Sequence, residues 1–349
     1  MDYKIIEEER IKRLKNWFNG KCEMPLRIHL NITNVCNLKC EFCWQSGVDK
    51  KKLIIENLTK DRIVNLVREA KKMGVLEWQL SGNGEPFCEP DITLTLMKEI
   101  KKNSMYGNII TNGTLLNSKI IEEIVKIEWN YIAFSIDGPN AKIHDKLRGV
   151  PGTFDKVMRN IKELYKIKES LNSYWPEYSL TTVINKKNYN KVTEIINLAH
   201  SLKCLGLILN LMINYGEGEN LTLNEREMNI FKRNIKNNIG LVKKLNLDTN
   251  FDIFLDGGNQ KENKRAIPKC YEPWYNLAID ASGSVGPCCE RLNEEKDQDN
   301  IKNNSLKDIW FGKYFTNIRN NMIKDNLTNK CTNCPLWHQD LATKINMKI

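Results

Sequence analysis

Apolar residues recur along this chain with two alternating periods, and the alternation predicts most of its elements. Residues 26–32 read Leu-Arg-Ile-His-Leu-Asn-Ile, apolar at every second position, as a strand with one buried face requires. Residues 57–73 carry Ile63, Val64, Val67 and Ala70 at helical spacing behind Thr59, a good capping residue. The two patterns then take turns, with strands expected at 75–80, 107–110, 131–136, 178–184 and 205–213 and helices at 92–100, 118–127, 154–167 and 192–202. Six strands, each joined to the next through a helix, predict an α/β fold whose parallel sheet curls into a partial (β/α)6 TIM-like barrel. Six units are fewer than the eight of a closed barrel, so one side stays open for a large substrate.

The ends read differently. Residues 1–21 place Ile5, Ile6, Ile11, Leu14, Trp17 and Phe18 among many charges, the pattern of an amphipathic helix packed on the barrel. A long basic helix is expected at 222–245, then a polar connection to 268 holding Gly257, Gly258 and Pro268. Past that boundary, residues 275–289 read as a hairpin turning at 281–284, and 305–322 as a helix rich in aromatic residues. The expected division is an N-terminal helix (1–22), a core (23–215), a helix and linker (216–265) and a small C-terminal domain (266–349).

Composition narrows the class. Of 349 residues, 41% are hydrophobic and 28% charged, ordinary for a globular chain with a sizeable core. Apolar runs such as 205–209 are far too short for a membrane span, and the first residues lack the apolar stretch of a signal peptide. A cytoplasmic protein without membrane contact is expected. The net charge of +10 comes from dispersed lysines without arginine–aromatic interleaving, which argues against nucleic acid. Eleven cysteines, an odd number in short spacings, read as reduced metal ligands rather than a disulfide framework.

Three of them follow the first strand in Cys36-Asn-Leu-Lys-Cys40-Glu-Phe-Cys43. Thiolates favour iron–sulfur clusters, zinc or copper(I), and three are one too few for a closed zinc site. A [4Fe–4S] cluster on three cysteines keeps one iron for an outside ligand. The loop, with Phe42 before its last cysteine, resembles the CxxxCxΦC motif of radical S-adenosylmethionine (radical SAM) enzymes. The resemblance implies that the free iron chelates SAM, whose reductive cleavage gives a 5′-deoxyadenosyl radical that takes hydrogen from a substrate. It also implies a flavodoxin- or ferredoxin-type electron donor, which the positive charge would attract.

Ligand sites in such sheets lie at the carboxyl ends of the strands, where the unusual residues fall. The second strand runs into Ser81-Gly82-Asn83-Gly84-Glu85-Pro86, by itself a turn, which resembles the family's GGEP motif and implies contact with the SAM amino group. Thr111-Asn112-Gly113-Thr114, Ser135-Ile-Asp137-Gly138 and Arg148-Gly149 resemble the third- and fourth-strand motifs. They imply Ser135 and Arg148 on the SAM carboxylate, Asp137 near the ribose and Asn112 among the cofactor contacts. His144 reads first as a surface or helix-cap residue and second as a catalytic base. Adenine contacts are expected around 214–220, without an assigned residue.

A second constellation opens at Cys270-Tyr-Glu-Pro-Trp274, passes Cys288 and Cys289, and ends in Cys331-Thr-Asn-Cys334. Four thiolates could hold zinc or a second [4Fe–4S] cluster, and the first loop favours iron–sulfur. The segment resembles the SPASM/twitch extension of radical SAM enzymes in its one-cluster form, implying Cys270, Cys288, Cys331 and Cys334 as ligands. Cys289 is the rival to Cys288, since neighbours on a strand face opposite ways. Cys22, Cys88 and Cys204 have no partner at metal spacing.

An auxiliary cluster can take the electron left on a substrate radical. The expected reaction is therefore oxidation, either of a sugar- or cyclitol-like alcohol or of a peptide. A redox-neutral epimerase with Cys88 or Cys204 returning the hydrogen is the alternative. A non-catalytic iron–sulfur or zinc carrier is the rival from another class.

Overall fold

The computed structural model describes residues 3–47, 58–213, 220–255, 270–292, 299–332 and 334. Its strands are β1 (Arg27–Asn31), β2 (Glu77–Ser81), β3 (Tyr106–Thr111), β4 (Tyr131–Ser135), β5 (Glu177–Ile184), β6 (Gly206–Leu211), β7 (Asp248–Thr249), β8 (Asn276–Ile279) and β9 (Val285–Gly286). The helices are α1 (Tyr3–Phe18), α2 (Lys60–Lys72), α3 (Pro90–Lys102), α4 (Ser118–Lys126), α5 (Ala141–Arg148), α6 (Thr153–Ser170), α7 (Val192–Ser201), α8 (Glu225–Lys244), α9 (Asp252–Leu255), α10 (Glu272–Tyr275), α11 (Leu306–Phe311), α12 (Lys313–Ile323) and α13 (Asn329–Thr332). The strands and helices expected from the two periods are present, with ends displaced by a few residues. The chain forms two compact units, one of Met1–Asn34, Ile55–Asn108 and Asn263–Ile349, the other of Val35–Ile54 and Ile109–Glu262.

In the first unit the strand order is β3-β2-β1-β8-β9, with β3 lying on the division. β1 runs parallel to both neighbours, Arg27 opposite Glu77 on one side and Asn276 on the other. Ile28, Leu30, Trp78, Leu80, Leu277 and Ile279 alternate onto one face and are fully or almost fully buried. The opposite face carries His29 and Asn31 from β1 and Ser81 from β2. Thr59 caps α2, its Oγ1 accepting from the Arg62 amide at 3.2 Å, as its position in the sequence predicts.

The N-terminal helix is fastened by charge as much as by its apolar stripe. Ile6 and Leu14 are buried, but so are Arg10 and Arg13, while Ile5 is exposed. Arg10 Nη2 meets Glu77 Oε2 at 3.0 Å, and Arg13 donates to the carbonyls of Pro25 at 3.0 Å and Gly74 at 2.8 Å. Beside them Arg27 holds Glu272 at 2.8 Å, and both Arg10 and Arg27 lie over the Tyr275 ring, at 5.1 and 5.2 Å. Four buried charges in two close pairs leave neither sign uncompensated, which makes their burial tolerable.

The expected helix at 305–322 is two helices. It breaks at Gly312, where ψ is 172°. Just before the break Arg319 Nη1 takes the Trp310 carbonyl at 2.9 Å. Arg319 also lies 4.3 Å over the Trp310 ring and 4.7 Å over Trp17, a cation sandwiched between indoles.

The second unit has the order β7-β6-β5-β4, and its pairs are all parallel. Two features go beyond the sequence reading. Residues 141–148 form the helix α5, capped by Asn140 Oδ1 accepting from the Ile143 amide at 3.2 Å. The connection from 246 also begins with order, since β7 extends the sheet beside β6 and Phe254 of α9 packs on Phe231 at 5.1 Å. Gly257, Gly258 and Pro268 fall outside the described residues.

Candidate active site and cysteine loops

In the second unit, the loop following β1 is held from several sides. The Cys43 amide donates to the Cys40 carbonyl at 3.1 Å, closing a turn that brings these two residues together. The Leu38 amide approaches Cys36 Sγ at 3.5 Å, a donor placed on the sulfur. Asn37 gives Nδ2 to Thr114 Oγ1 at 2.8 Å and takes Asn112 Nδ2 at 3.0 Å, so Asn112 is engaged in holding this loop. Glu41 pairs with Lys187 at 2.6 Å.

Arg148, at the end of α5, is the loop's charged neighbour. Its Nη2 lies 2.6 Å from Asp137 Oδ2, Nη1 lies 3.7 Å from Cys40 Sγ, and the guanidinium sits 5.6 Å over Phe42. Burial opposes its charge, but Asp137 and then Cys40 outweigh this and move its pKa up. Burial likewise raises Asp137, with Arg148 opposing, and Asp137 Oδ1 accepts from the Val183 amide at 2.8 Å. Arg148 Nε is buried with no acceptor, an orphaned donor that fits a ligand carboxylate. Ser135 ends β4, half-buried, opposite Thr181.

His144 corrects the surface reading. It is 1% exposed, and its Nδ1 accepts from the Asp137 amide at 3.2 Å, so that nitrogen is occupied by backbone. Burial, then the Arg148 charge, pushes its pKa down to about 3. Such an imidazole is neutral and packed, and supports the turn at the end of β4 through the Asp137 amide. Cys204 is not brought to the ligand-bearing strand ends either. It lies just before β6, at the amino end of that strand, and burial pushes its thiol up to about 12, so the sulfur keeps its proton.

In the first unit β2 ends at Ser81, and the turn after it is tight: a Cβ on Gly82 would meet the Gly84 carbonyl oxygen at 2.8 Å. The Gly84 amide donates to the Thr33 carbonyl at 3.0 Å. Asn83 sits half-buried in this turn, and Glu85 is buried with Oε1 accepting from the Phe87 amide at 3.2 Å. Cys88, half-buried, closes the short helical turn that follows. His29 and Asn31, which the sequence reading passed over, meet Ser81 here. His29 Nε2 is 2.5 Å and Asn31 Oδ1 3.4 Å from Ser81 Oγ, and Asn31 Nδ2 is buried without an acceptor. Polar residues at alternate positions of an otherwise apolar strand were the available signal.

The second cysteine set is also in the first unit. Burial raises the Cys270 pKa, with the Glu272 charge next, the Glu272 backbone amide opposing, and Cys334 and Cys331 adding to the rise. The Cys334 amide points at the Cys331 carbonyl, 3.4 Å away. β9 is shorter than expected and stops at Gly286, leaving Cys288 to precede a helical turn at Cys289–Arg291. Strand alternation therefore does not separate Cys288 from Cys289, and both are half-buried. Among the described residues no three His, Cys, Asp or Glu side chains close around a single ion. A four-iron cube takes each thiolate on a different iron, a wider spread of sulfurs than a single ion allows.

A model of the radical SAM superfamily matches residues 30–199, and a model described as an iron-sulfur cluster-binding domain, SPASM, matches residues 270–335. The chain belongs to the radical SAM superfamily. With the SPASM domain, its cofactors are S-adenosylmethionine and two iron–sulfur clusters. This radical SAM chain is 29% identical to the AdoMet-dependent heme synthase of Methanosarcina barkeri over 195 residues, 56% of the chain and about half, 53%, of that protein's length. It is 27% identical to the tungsten-containing aldehyde ferredoxin oxidoreductase cofactor-modifying protein of Pyrococcus furiosus over 344 residues, 88% of this chain and 87% of that protein. Streptococcus suis SuiB shares the fold. Its structures with S-adenosylmethionine and with the precursor peptide SuiA give TM-scores of 0.69 and 0.70 at 17% and 18% identity. They cover 91% of this chain and 73% and 72% of SuiB. The expected α/β partial barrel with a small C-terminal domain is thus the radical SAM fold. No helix among the described residues is long and apolar enough to cross a membrane.

Proposed function

We propose that this radical SAM enzyme oxidises a peptide, holding its SAM-binding cluster on Cys36, Cys40 and Cys43 and an auxiliary cluster on Cys270, Cys288, Cys331 and Cys334. When bound, the first cluster supplies one-electron cleavage of SAM to a 5′-deoxyadenosyl radical. The chain's own residues position and shield. Arg148 stays charged beside Cys40 and keeps Nε for the SAM carboxylate, Asp137 fixes that guanidinium, and the Asn37–Asn112–Thr114 bonds hold the loop. The turn at 82–84, Ser81 and Glu85 are assigned to the SAM amino group by their motif.

The observation that carries the oxidative reading is the way the second cysteine set is built in. Cys270 leads through α10 directly into β8, which pairs along the length of β1, and Arg27 of β1 grips Glu272 between them. A redox group there is fixed to the sheet and not carried on a tether, as rapid removal of one electron from a substrate radical requires. The SuiB complex with SuiA supports a peptide substrate. The relative matched over 87% of its length is named for modifying a cofactor, which favours a small molecule as the second reading.

The test is anaerobic reconstitution followed by reaction with SAM and dithionite. About eight iron per chain is expected for two clusters. Five-prime deoxyadenosine should accumulate one for one with a product lighter by two hydrogens. Deuterium entering an otherwise unchanged product from heavy water would instead establish epimerisation and sink the oxidative reading. An electron donor of flavodoxin or ferredoxin type should replace dithionite.

A further inference from the structure

The cysteine loop and the end of α5 touch through backbone. The Lys39 amide donates to the Arg148 carbonyl at 3.1 Å and the Glu41 amide to the Leu147 carbonyl at 3.0 Å, so the residues flanking Cys40 are hung on the last carbonyls of the helix. Those carbonyls have no partner within the helix itself, and a loop offering two amides satisfies both. Gly149 follows with φ of 69°, and a Cβ there would lie 2.1 Å from the Lys39 carbonyl oxygen and 2.8 Å from its carbon. Neither of those atoms is the movable end of a side chain. Only a residue without Cβ lets the loop come this close.

We propose that Gly149 and the carboxyl end of α5 act as the template of the cysteine loop, setting where Cys40 stands relative to Cys36 and Cys43 before any cluster forms. Gly149 is a positioning residue in this role, acting through Lys39 and not on a ligand. A second left-handed glycine gives an internal control. Gly152 has φ of 80°, and a Cβ there would meet nothing within 4 Å. Alanine at either position bears the same backbone strain, but only at 149 does it displace the loop. The inference relies on Cys36, Cys40 and Cys43 being the ligands of the SAM-binding cluster.

The experiment compares reconstituted Gly149→Ala, Gly152→Ala and Cys36→Ala/Cys40→Ala/Cys43→Ala with the parent chain. Iron, sulfide, the electron paramagnetic resonance of the reduced clusters with and without SAM, and far-ultraviolet circular dichroism are recorded. Gly149→Ala should keep its circular dichroism and auxiliary-cluster signal, fall from about eight to about four iron, and lose the SAM-dependent change in the spectrum, while Gly152→Ala keeps about eight. Full iron and an unchanged SAM response in Gly149→Ala, or equal losses in both glycine variants, would overturn the template. Retention of eight iron by the triple cysteine variant would overturn the ligand assignment instead. Should Gly149→Ala not fold, Lys39→Pro deletes the amide to the Arg148 carbonyl from the loop's side. It should produce the same selective loss, and full iron there counts against the proposal.

Discussion

His29 Nε2 and Ser81 Oγ stand 2.5 Å apart on two adjacent parallel strands, with the imidazole buried. Burial, and next the Arg27 charge, pushes the pKa of His29 down to about 4 from its ordinary 6.5, while burial and Arg148 push His144 down to about 3. The unfolded chain therefore takes up protons near pH 6.5 that the folded chain refuses until about 4 and 3. Stability from both is fully present above 6.5 and is lost as the pH falls through that window. The urea midpoint should drop steeply below pH 6.5, His29 contributing about 3 kcal/mol and His144 about 5 kcal/mol across their full windows. His29→Gln should flatten part of the slope, and an unchanged slope would refute the assignment.

Arg148→Met leaves the Asp137 carboxylate buried without its cation. Breaking such a pair from one side costs about 3–5 kcal/mol, whereas removing both charges costs much less. Urea unfolding of Arg148→Met should show that loss, and Asp137→Asn/Arg148→Met should recover most of it. Equilibrium dialysis should find SAM binding lost in both, because the orphaned Nε is gone from each.

Arg319 joins α12 to the segment opening the second cysteine set, donating to the Pro273 carbonyl and the Trp310 carbonyl, both at 2.9 Å. Arg319→Met leaves two buried carbonyls unsatisfied and removes the cation from its indoles, a cost of about 3 kcal/mol. Thermal unfolding should register it. Iron bound by the auxiliary set should be more easily stripped by a chelator than in the parent chain.

Cys331→Ala/Cys334→Ala removes two of the four proposed auxiliary ligands and leaves the first loop intact. Iron should fall from about eight to about four per chain. Five-prime deoxyadenosine should still form with SAM and dithionite, while the oxidised product disappears. Product formed at the parent rate would separate oxidation from this cluster.

The barrel elements were legible because apolar residues alternate in the strands, as at Ile28 and Leu30 of β1, and recur at helical spacing in the helices, as at Val157, Ile161 and Leu164 of α6. Helix α5 was missed because its eight residues present only Ile143 and Leu147 as large apolar residues, too few for a period to show. Its cap, Asn140, is the usual kind and was there to be read. The cysteine sets were visible through spacing. The buried Arg10–Glu77 and Arg27–Glu272 pairs were not, since charges far apart in sequence carry no mark that they will meet. The break falls at Gly312, where a Cβ would meet the Asp308 carbonyl oxygen at 2.8 Å, so the glycine inside the apolar pattern was the local mark to read.

Because β8 lies directly along β1, β1 gains its second neighbour only after some 250 further residues have been made, a delay reaching from Arg27 to Asn276. Until then one edge of β1 exposes a row of amides and carbonyls seeking another strand. Completion of this sheet therefore waits on synthesis, and a nascent chain arrested before residue 276 should bind holdase chaperones and be cut readily by proteases. Emergence of residues 276–279 is what lets β1 gain that neighbour.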